Sequence, residues 1–227
     1  MGHMNFLFDF DSTLVKSESL NDVLGLALGN DVCKIAEVDK ITKMAMEGLI
    51  TPQESMMRRL KLATINKELV NKITEKVKDE IVVGMKELIS KLKEQKDVNI
   101  FIISGGFKEM ISPTAKLLGI SEENIFANEF IYNEDNVVEG ARQNILLEEQ
   151  GKVKLINKLK NDGILIGKNT MIGDGFTDLE TFLHKAVDNH ICFCGVIERG
   201  NVKNKSSNIA MNINNLEIKC KEFLNNI

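Results

Sequence analysis

The chain has 227 residues, of which 43% are hydrophobic and 27% charged, with a formal net charge of -4, two prolines and no tryptophan. This is the make-up of a soluble globular protein, long enough for one large core or a core with a smaller attached unit. The acidic balance argues against a nucleic-acid binder, which needs a basic excess to meet phosphates. No apolar run approaches the roughly 18 residues of a membrane span, and none follows the start as a secretory segment.

Gly2 and His3 after Met1 resemble a tag remnant, so fold reasoning starts at Met4. Phe6, Leu7, Phe8 and Phe10 are four apolar positions in five, the pattern of a strand covered on both faces, and they run into Asp9, Asp11, Ser12 and Thr13. Four helices are then predicted. The first holds Leu20, Val23, Leu24, Ala27 and Leu28 behind a cap at Ser17 or Ser19 and closes at Gly29; the second covers Asp31 to Glu47; the third opens on Thr51 and Pro52; the fourth covers Asn66 to Asp79.

From Ile81 helix and strand alternate: a helix over Gly84 to Gln95, then a strand over Val98 to Ile103 that ends in a turn at Ser104-Gly105-Gly106. A helix over Lys108 to Leu118, kinked or delayed by Pro113, precedes a hairpin of Ile125–Tyr132 and Val137–Gly140. A helix over Lys152 to Lys160, a strand near Thr170 to Gly173 and a helix over Thr177 to His184 follow. Ile191–Cys194 and Asn208–Met211 are the last strands, and Leu216–Leu224 the last helix. The rhythm predicts an α/β fold, a Rossmann-like, doubly wound parallel sheet with a small helical bundle inserted. Core residues 4–16 and 80–227 would bracket a helical unit at 17–79. Cys33, Cys192, Cys194 and Cys220 lack zinc-site spacing and read as reduced core thiols, which with no export signal points to the cytoplasm. Met44, Met46, Met56 and Met57 read as bundle core, and His184 and His190 have no convergent partners.

Ligands of open α/β sheets bind beyond the carboxyl ends of the strands. Three predicted strand ends carry polar sequences: Asp9 with Asp11, Ser104 with Gly105 and Gly106, and Asp174 with Asp178. Glycine turns, a helix N-terminus and Lys152 would bind an anion beside these carboxylates, and a divalent cation reconciles the two; Mg2+ suits carboxylates and phosphate oxygens. Asp9 would attack phosphorus, and Asp11 would protonate the leaving oxygen.

FDFDSTLV, ISGG, Lys152 and GDGFTD together resemble the four motifs of the haloacid dehalogenase superfamily, phosphatase branch. The resemblance implies Asp9 as nucleophile, Asp11 as general acid/base, Ser104, Gly105 and Lys152 as phosphate binders, and Asp9, Asp11 and Asp174 at the metal with Asp178 supporting its shell. It also implies a helical cap after the first motif. AMEG, SMMRRL, ISGGF, IFANEF and MIGDGFTDLE extend the likeness to the phosphoserine phosphatases. There a glutamate meets the substrate ammonium and an arginine its carboxylate, which implies Glu18 and Arg59 here, with Met46 as an apolar wall. Arg58, beside Arg59, and Lys154, near Lys152, are rival carriers of the same charges, and Gln150 stands where many relatives have glycine. The expected partner is a small phosphomonoester, with no nucleic acid and no membrane. Two alternatives stay open: a phosphatase or phosphotransferase acting on another small phosphomonoester, and a non-catalytic phosphate-sensing module.

Overall fold

In the computed structural model, which describes residues 2–225, strand β1 (Met4–Phe8) is buried along its whole length. The chain then passes through α1 (Ser19–Leu28), α2 (Val32–Met46), α3 (Pro52–Leu60) and α4 (Lys67–Lys78) before α5 (Met85–Lys93) and β2 (Val98–Phe107). Next come α6 (Lys108–Leu117), β3 (Ile125–Asn128), β4 (Phe130–Tyr132), β5 (Val138–Ala141), α7 (Gly151–Asn161) and β6 (Lys168–Gly173). The chain continues through α8 (Phe176–Leu183), β7 (Asn189–Phe193), α9 (Gly200–Lys203), β8 (Ile209–Ala210) and α10 (Ile213–Leu224).

Six strands form one sheet in the order β3-β2-β1-β6-β7-β8, and each neighbouring pair is parallel. The chain builds outward from β1 through β2 to β3, then restarts at β6 on the other side of β1. That reversal opens a crevice beyond the carboxyl ends of β1 and β6, the place where such sheets take ligands. Both faces are covered. Phe6, Phe8, Ile100, Ile102 and Ile172 pack into one apolar cluster, whereas Leu7, Phe101, Ile103 and Met171 pack into another with Val153, Ile156 and Leu159 of α7. Alternate residues of each strand thus serve opposite layers, and cutting Phe6 or Phe8 to alanine would cost about 3–5 kcal/mol.

One polar row crosses this core. Asn5 is aligned with Asn99 and Asn169; its Nδ2 donates to Asn169 Oδ1 (3.0 Å), and Asn99 Nδ2 donates to Asn5 Oδ1 (3.1 Å). Asn99, at the exposed start of β2, therefore ends a row whose buried members are Asn5 and Asn169, and a slip by one residue would leave those two amides unpaired.

The cap at Thr51 follows the sequence, and Asp31 and Asn66, predicted as the first residues of their helices, are their caps; the three side chains accept from the amides of Lys34, Glu54 and Leu69. Other features differ. The helix α1 has neither serine as its cap: Glu18 precedes it, and the Ser19 hydroxyl is drawn to Asp11. The first half of the predicted hairpin splits, because β3 joins β2 in the main sheet and only β4 pairs with β5. Strand β2 runs through Ser104-Gly105-Gly106 to Phe107 with a register shift instead of ending before them. Helix α6 starts at Lys108 and contains Pro113. Cys33 is exposed, while Cys192, Cys194 and Cys220 are buried free thiols. Met56 is buried in the main apolar cluster as expected, while Met57 is exposed and Met46 lines a cavity. His3 belongs to the fold, for its carbonyl accepts from Lys168 N (2.8 Å).

His190 on β7 is buried with Nε2 unpartnered, and burial, with Lys152 nearby, pushes its pKa down to about 4. The folded state holds the neutral ring while the unfolded chain takes up a proton below about pH 6.5, so this residue's contribution is lost as pH falls through that value toward 4. In urea titrations, wild type should lose about 2 kcal/mol more than His190→Gln between pH 8 and pH 5. Equal losses in the two proteins would contradict the burial of a neutral imidazole.

Candidate active site

At the end of β1, Asp9 donates its amide to the Ile172 carbonyl of β6 (2.9 Å) and turns Oδ1 onto Phe10 N (2.8 Å). Its Oδ2 faces Lys152 Nζ at 3.1 Å. The amides of Thr13, Leu14 and Val15 all point to the Phe10 carbonyl, and Ser12 takes a left-handed φ of 53°, so the chain reverses tightly after the two aspartates. Asp11 is turned toward α1: its carboxylate accepts from Ser19 N (3.1 Å) and Ser19 Oγ (3.0 Å). Ser12 Oγ donates to Glu18 Oε1 (2.8 Å), and Thr13 Oγ1 to Asp174 Oδ1 (3.3 Å).

The end of β6 is shaped by its acids. A Cβ on Gly173 would overlap the Asp178 carboxyl, and one on Gly175 would lie 3.2 Å from Met46 Sδ. The glycines exist so that Asp178 can fold back under the strand end, where its Oδ2 accepts from Gly175 N (3.0 Å). Lys152 arrives from α7 by a similar close approach: Gly151 has room for no Cβ, which would sit 2.6 Å from the Ile145 carbonyl oxygen, and Gln150 is left-handed at φ 56°. Lys152 Nζ then meets Asp178 Oδ1 at 2.6 Å as well as Asp9. On the β2 side Ser104 Oγ accepts from Gly106 N (3.1 Å), and the Gly105 carbonyl accepts from Asn128 Nδ2 (2.7 Å).

Carboxylate oxygens of Asp9, Asp174 and Asp178 lie within 4.8 Å of one another, all three residues buried. Burial raises the pKa of Asp174 to about 8 against the pull of Arg199, and that of Asp178 to about 7 against the pull of Lys152. Burial and then Glu18 raise Asp11 well above the usual carboxylate range, and burial raises Glu18 despite Arg199. For Lys152, burial opposes the charge, but Asp178 and Asp9 outweigh it and keep the ammonium protonated. Five carboxyl groups thus share the space with Lys152, Arg199 and Arg59. Hard oxygen donors in a dry pocket with an excess of negative charge fit a magnesium ion.

A cavity of about 90 Å³ opens over this cluster, lined by Asp9, Asp11, Glu18, Met46, Arg59, Ser104, Gly105 and Lys152 among others. Every residue that the sequence assigned to catalysis, phosphate or substrate therefore faces one space, while Asp174 and Asp178 join Asp9 in the acidic cluster. The Asp11 carboxylate stands outside that cluster, held by Ser19, and Asp178 takes the third place. Both charge ambiguities have a clear geometry. Arg58 is a surface residue paired with Glu54 (3.3 Å) and Glu37 (3.4 Å), and Lys154 is exposed with Glu148 at 2.7 Å. Two residues were missed. Arg199 donates from Nε to Asp174 Oδ2 (2.6 Å) and from Nη2 to Glu18 Oε1 (2.8 Å), and buried Asn128 lines the cavity. Asn128 ends β3 and Arg199 follows β7, so both stand past carboxyl ends of sheet strands, the rule that had found the other motifs.

A profile of the haloacid dehalogenase-like hydrolases matches residues 6–182. The chain belongs to that family. Within it, the chain is similar to phosphoserine phosphatases: it is 33% identical over 191 residues to the one from Methanocaldococcus jannaschii, covering 83% of this chain and 84% of the relative. It is 32% identical to the chloroplastic phosphoserine phosphatase of Arabidopsis thaliana over 83% of this chain, and the match spans 62% of that longer protein. Among solved structures, a phosphoserine phosphohydrolase-like protein from Francisella tularensis superposes with a TM-score of 0.87 at 33% identity, covering 95% of this chain and 99% of that one. A phosphoserine phosphatase solved as an analogue of a phospho-aspartyl intermediate gives 0.77 at 27% identity, covering 93% and 94%. A hydrolase family with these members sets aside the reading of the site as a phosphate-sensing module.

Lys152 holds two buried acids, so its loss leaves Asp178 without a counter-charge. Lys152→Met should lower stability in urea at pH 8, without added metal, by about 3 kcal/mol. A loss below about 1 kcal/mol would mean that the lysine is not the partner of the cluster.

Proposed function

We propose that the chain hydrolyses O-phospho-L-serine to L-serine and phosphate through an aspartyl-phosphate on Asp9. The observation that carries the substrate is Arg59. Among the described residues no carboxylate pairs with it; its guanidinium donates only to neutral oxygens, at Asn21 Oδ1 (3.0 Å), Thr42 Oγ1 (3.4 Å) and the Ser55 carbonyl (3.4 Å). A half-buried, fully charged fork beside a cavity calls for an anion, and a carboxylate matches its geometry. Glu18 on the same cavity supplies a negative charge for an ammonium, and Met46 an apolar wall between them. A phosphoryl group would lie among Ser104, the Gly105 and Gly106 backbone and Lys152.

In this reading α1–α4, within residues 17–79, form a cap over a core of residues 4–16 and 80–227. Supporting it, the chain leaves and returns through one antiparallel bridge: Lys16 N donates to the Glu80 carbonyl (2.8 Å), and Val82 N to that of Leu14 (3.0 Å). Asp9 attacks phosphorus as the bond to the serine oxygen breaks, and Asp11, whose burial favours the protonated form, delivers a proton to that oxygen. Asp11 then takes a proton from water as the water opens the acyl phosphate, releasing phosphate and restoring Asp9. Lys152, 3.1 Å from Asp9 Oδ2, orients that carboxylate for attack. Asp9, Asp174 and Asp178 would hold magnesium, which when bound supplies positive charge against the phosphoryl oxygens. Arg199 keeps Asp174 and Glu18 in place from the opposite side.

With magnesium, phosphate release from phosphoserine should fall by about a thousandfold or more in Asp9→Asn, and chelation of the metal should abolish it reversibly. Turnover that survives in Asp9→Asn rejects the covalent route. Arg59→Ala should raise KM for phosphoserine by about a hundredfold while Arg58→Ala stays within about twofold; equal effects would show that no carboxylate docks at Arg59.

A further inference from the structure

Phe176 has no part in the chemistry above, yet it is a point at which the tip of the helical block touches the elements at the edge of the sheet. It is the first residue of α8, between the cluster residue Asp174 and the cavity-lining Thr177. Opposite it is the turn that joins α2 to α3. Gly48 in that turn has φ 75°, and a Cβ there would lie 2.6 Å from Phe176 Cδ1, 2.9 Å from Cγ and 3.0 Å from Cε1. The ring is seated in a notch that only a glycine leaves open. Two residues earlier Met46 lines the cavity, with Gly175 close beneath its sulfur. The post is firm: Gly175 N is bonded to Asp178 Oδ2, and Phe176 packs on Leu179, Cys192, Cys194 and Val202. Leu49, next in the turn, is 64% exposed and adds no buried apolar anchor there. At its other end the block rests on α6 through α4.

We propose that Phe176 is a positioning residue, a ring-in-notch latch with Gly48 that holds the α2–α3 turn, and with it the Met46 wall, over the substrate pocket. The catalytic consequence rests on the phosphoserine reading; the latch itself does not. Without the ring the turn gains freedom, and each substrate molecule must order it again on binding. The effect falls on substrates that the turn embraces and spares a phosphomonoester that carries neither ammonium nor carboxylate.

The test compares wild type, Phe176→Ala and Phe176→Leu, first by amide hydrogen exchange and then by kinetics with magnesium. In Phe176→Ala, exchange over residues 45–51 should quicken at least about fivefold with that over β1 and β6 unchanged. KM for phosphoserine should rise about tenfold with kcat little altered, while kcat/KM for p-nitrophenyl phosphate stays within about twofold. Phe176→Leu, which keeps an apolar side chain in the notch, should recover most of both. Unchanged exchange in Phe176→Ala overturns the latch, and so does a kinetic loss shared equally by the two substrates. If wild type releases phosphate from the aryl ester but none from phosphoserine, the serine reading fails alone, and the exchange result decides the latch.

Discussion

Burying carboxylates at the reversal of a parallel sheet is the constraint on which the rest of this structure depends. Asp9, Asp174 and Asp178 share a few ångströms at the carboxyl edge, with Asp11 and Glu18 alongside. Repulsion and desolvation at such a site amount to several kcal/mol per ion unless opposite charge is delivered to it. Local structure is bent to that end. Gly151 lets α7 start close enough for Lys152 to touch two acids, Gly173 lets Asp178 fold under its strand, and the segment after β7 brings Arg199 across to Asp174 and Glu18. What remains uncompensated is negative, and that surplus is the physical reason to expect a divalent ion.

The same constraint separates two kinds of cation. Lys152 and Arg199 are consumed by the protein's own acids, and they organise the site. Arg59 differs: its direct contacts are to amide, hydroxyl and carbonyl oxygens, and Glu18 and Asp11 act on it only from a longer range. In the proposed reading, the helical segment recognises the substrate and the sheet edge carries the chemistry. The proposed latch of the Phe176 ring against Gly48 would join the two.

Much of this was legible in the sequence because strand ends followed by Asp, Gly and Ser are rare combinations with a definite chemical use. The apolar run Phe6–Phe8 of β1, the cap at Thr51 and the motif glycines each express a local rule. The misses came where tertiary contacts override local pattern. Ser19 reads as a cap, yet Asp11, eight residues earlier, takes its hydroxyl. Ile125–Asn128 reads as half a hairpin, yet β2 offers it an open sheet edge. Arg199 lies in a loop with no motif around it, and only the fold shows that the loop crosses to Asp174.

The central claim, that Asp9 carries the phosphoryl group, has a direct test. Wild-type protein mixed with magnesium and phosphoserine is quenched in acid within the first turnovers, digested and analysed by mass spectrometry. The account predicts one added phosphoryl group on the peptide containing Phe6–Val15, placed on Asp9 by fragmentation and absent without substrate. A phosphoryl group on any other residue, or turnover with none trapped while an intact acyl phosphate standard survives the same quench, would contradict it.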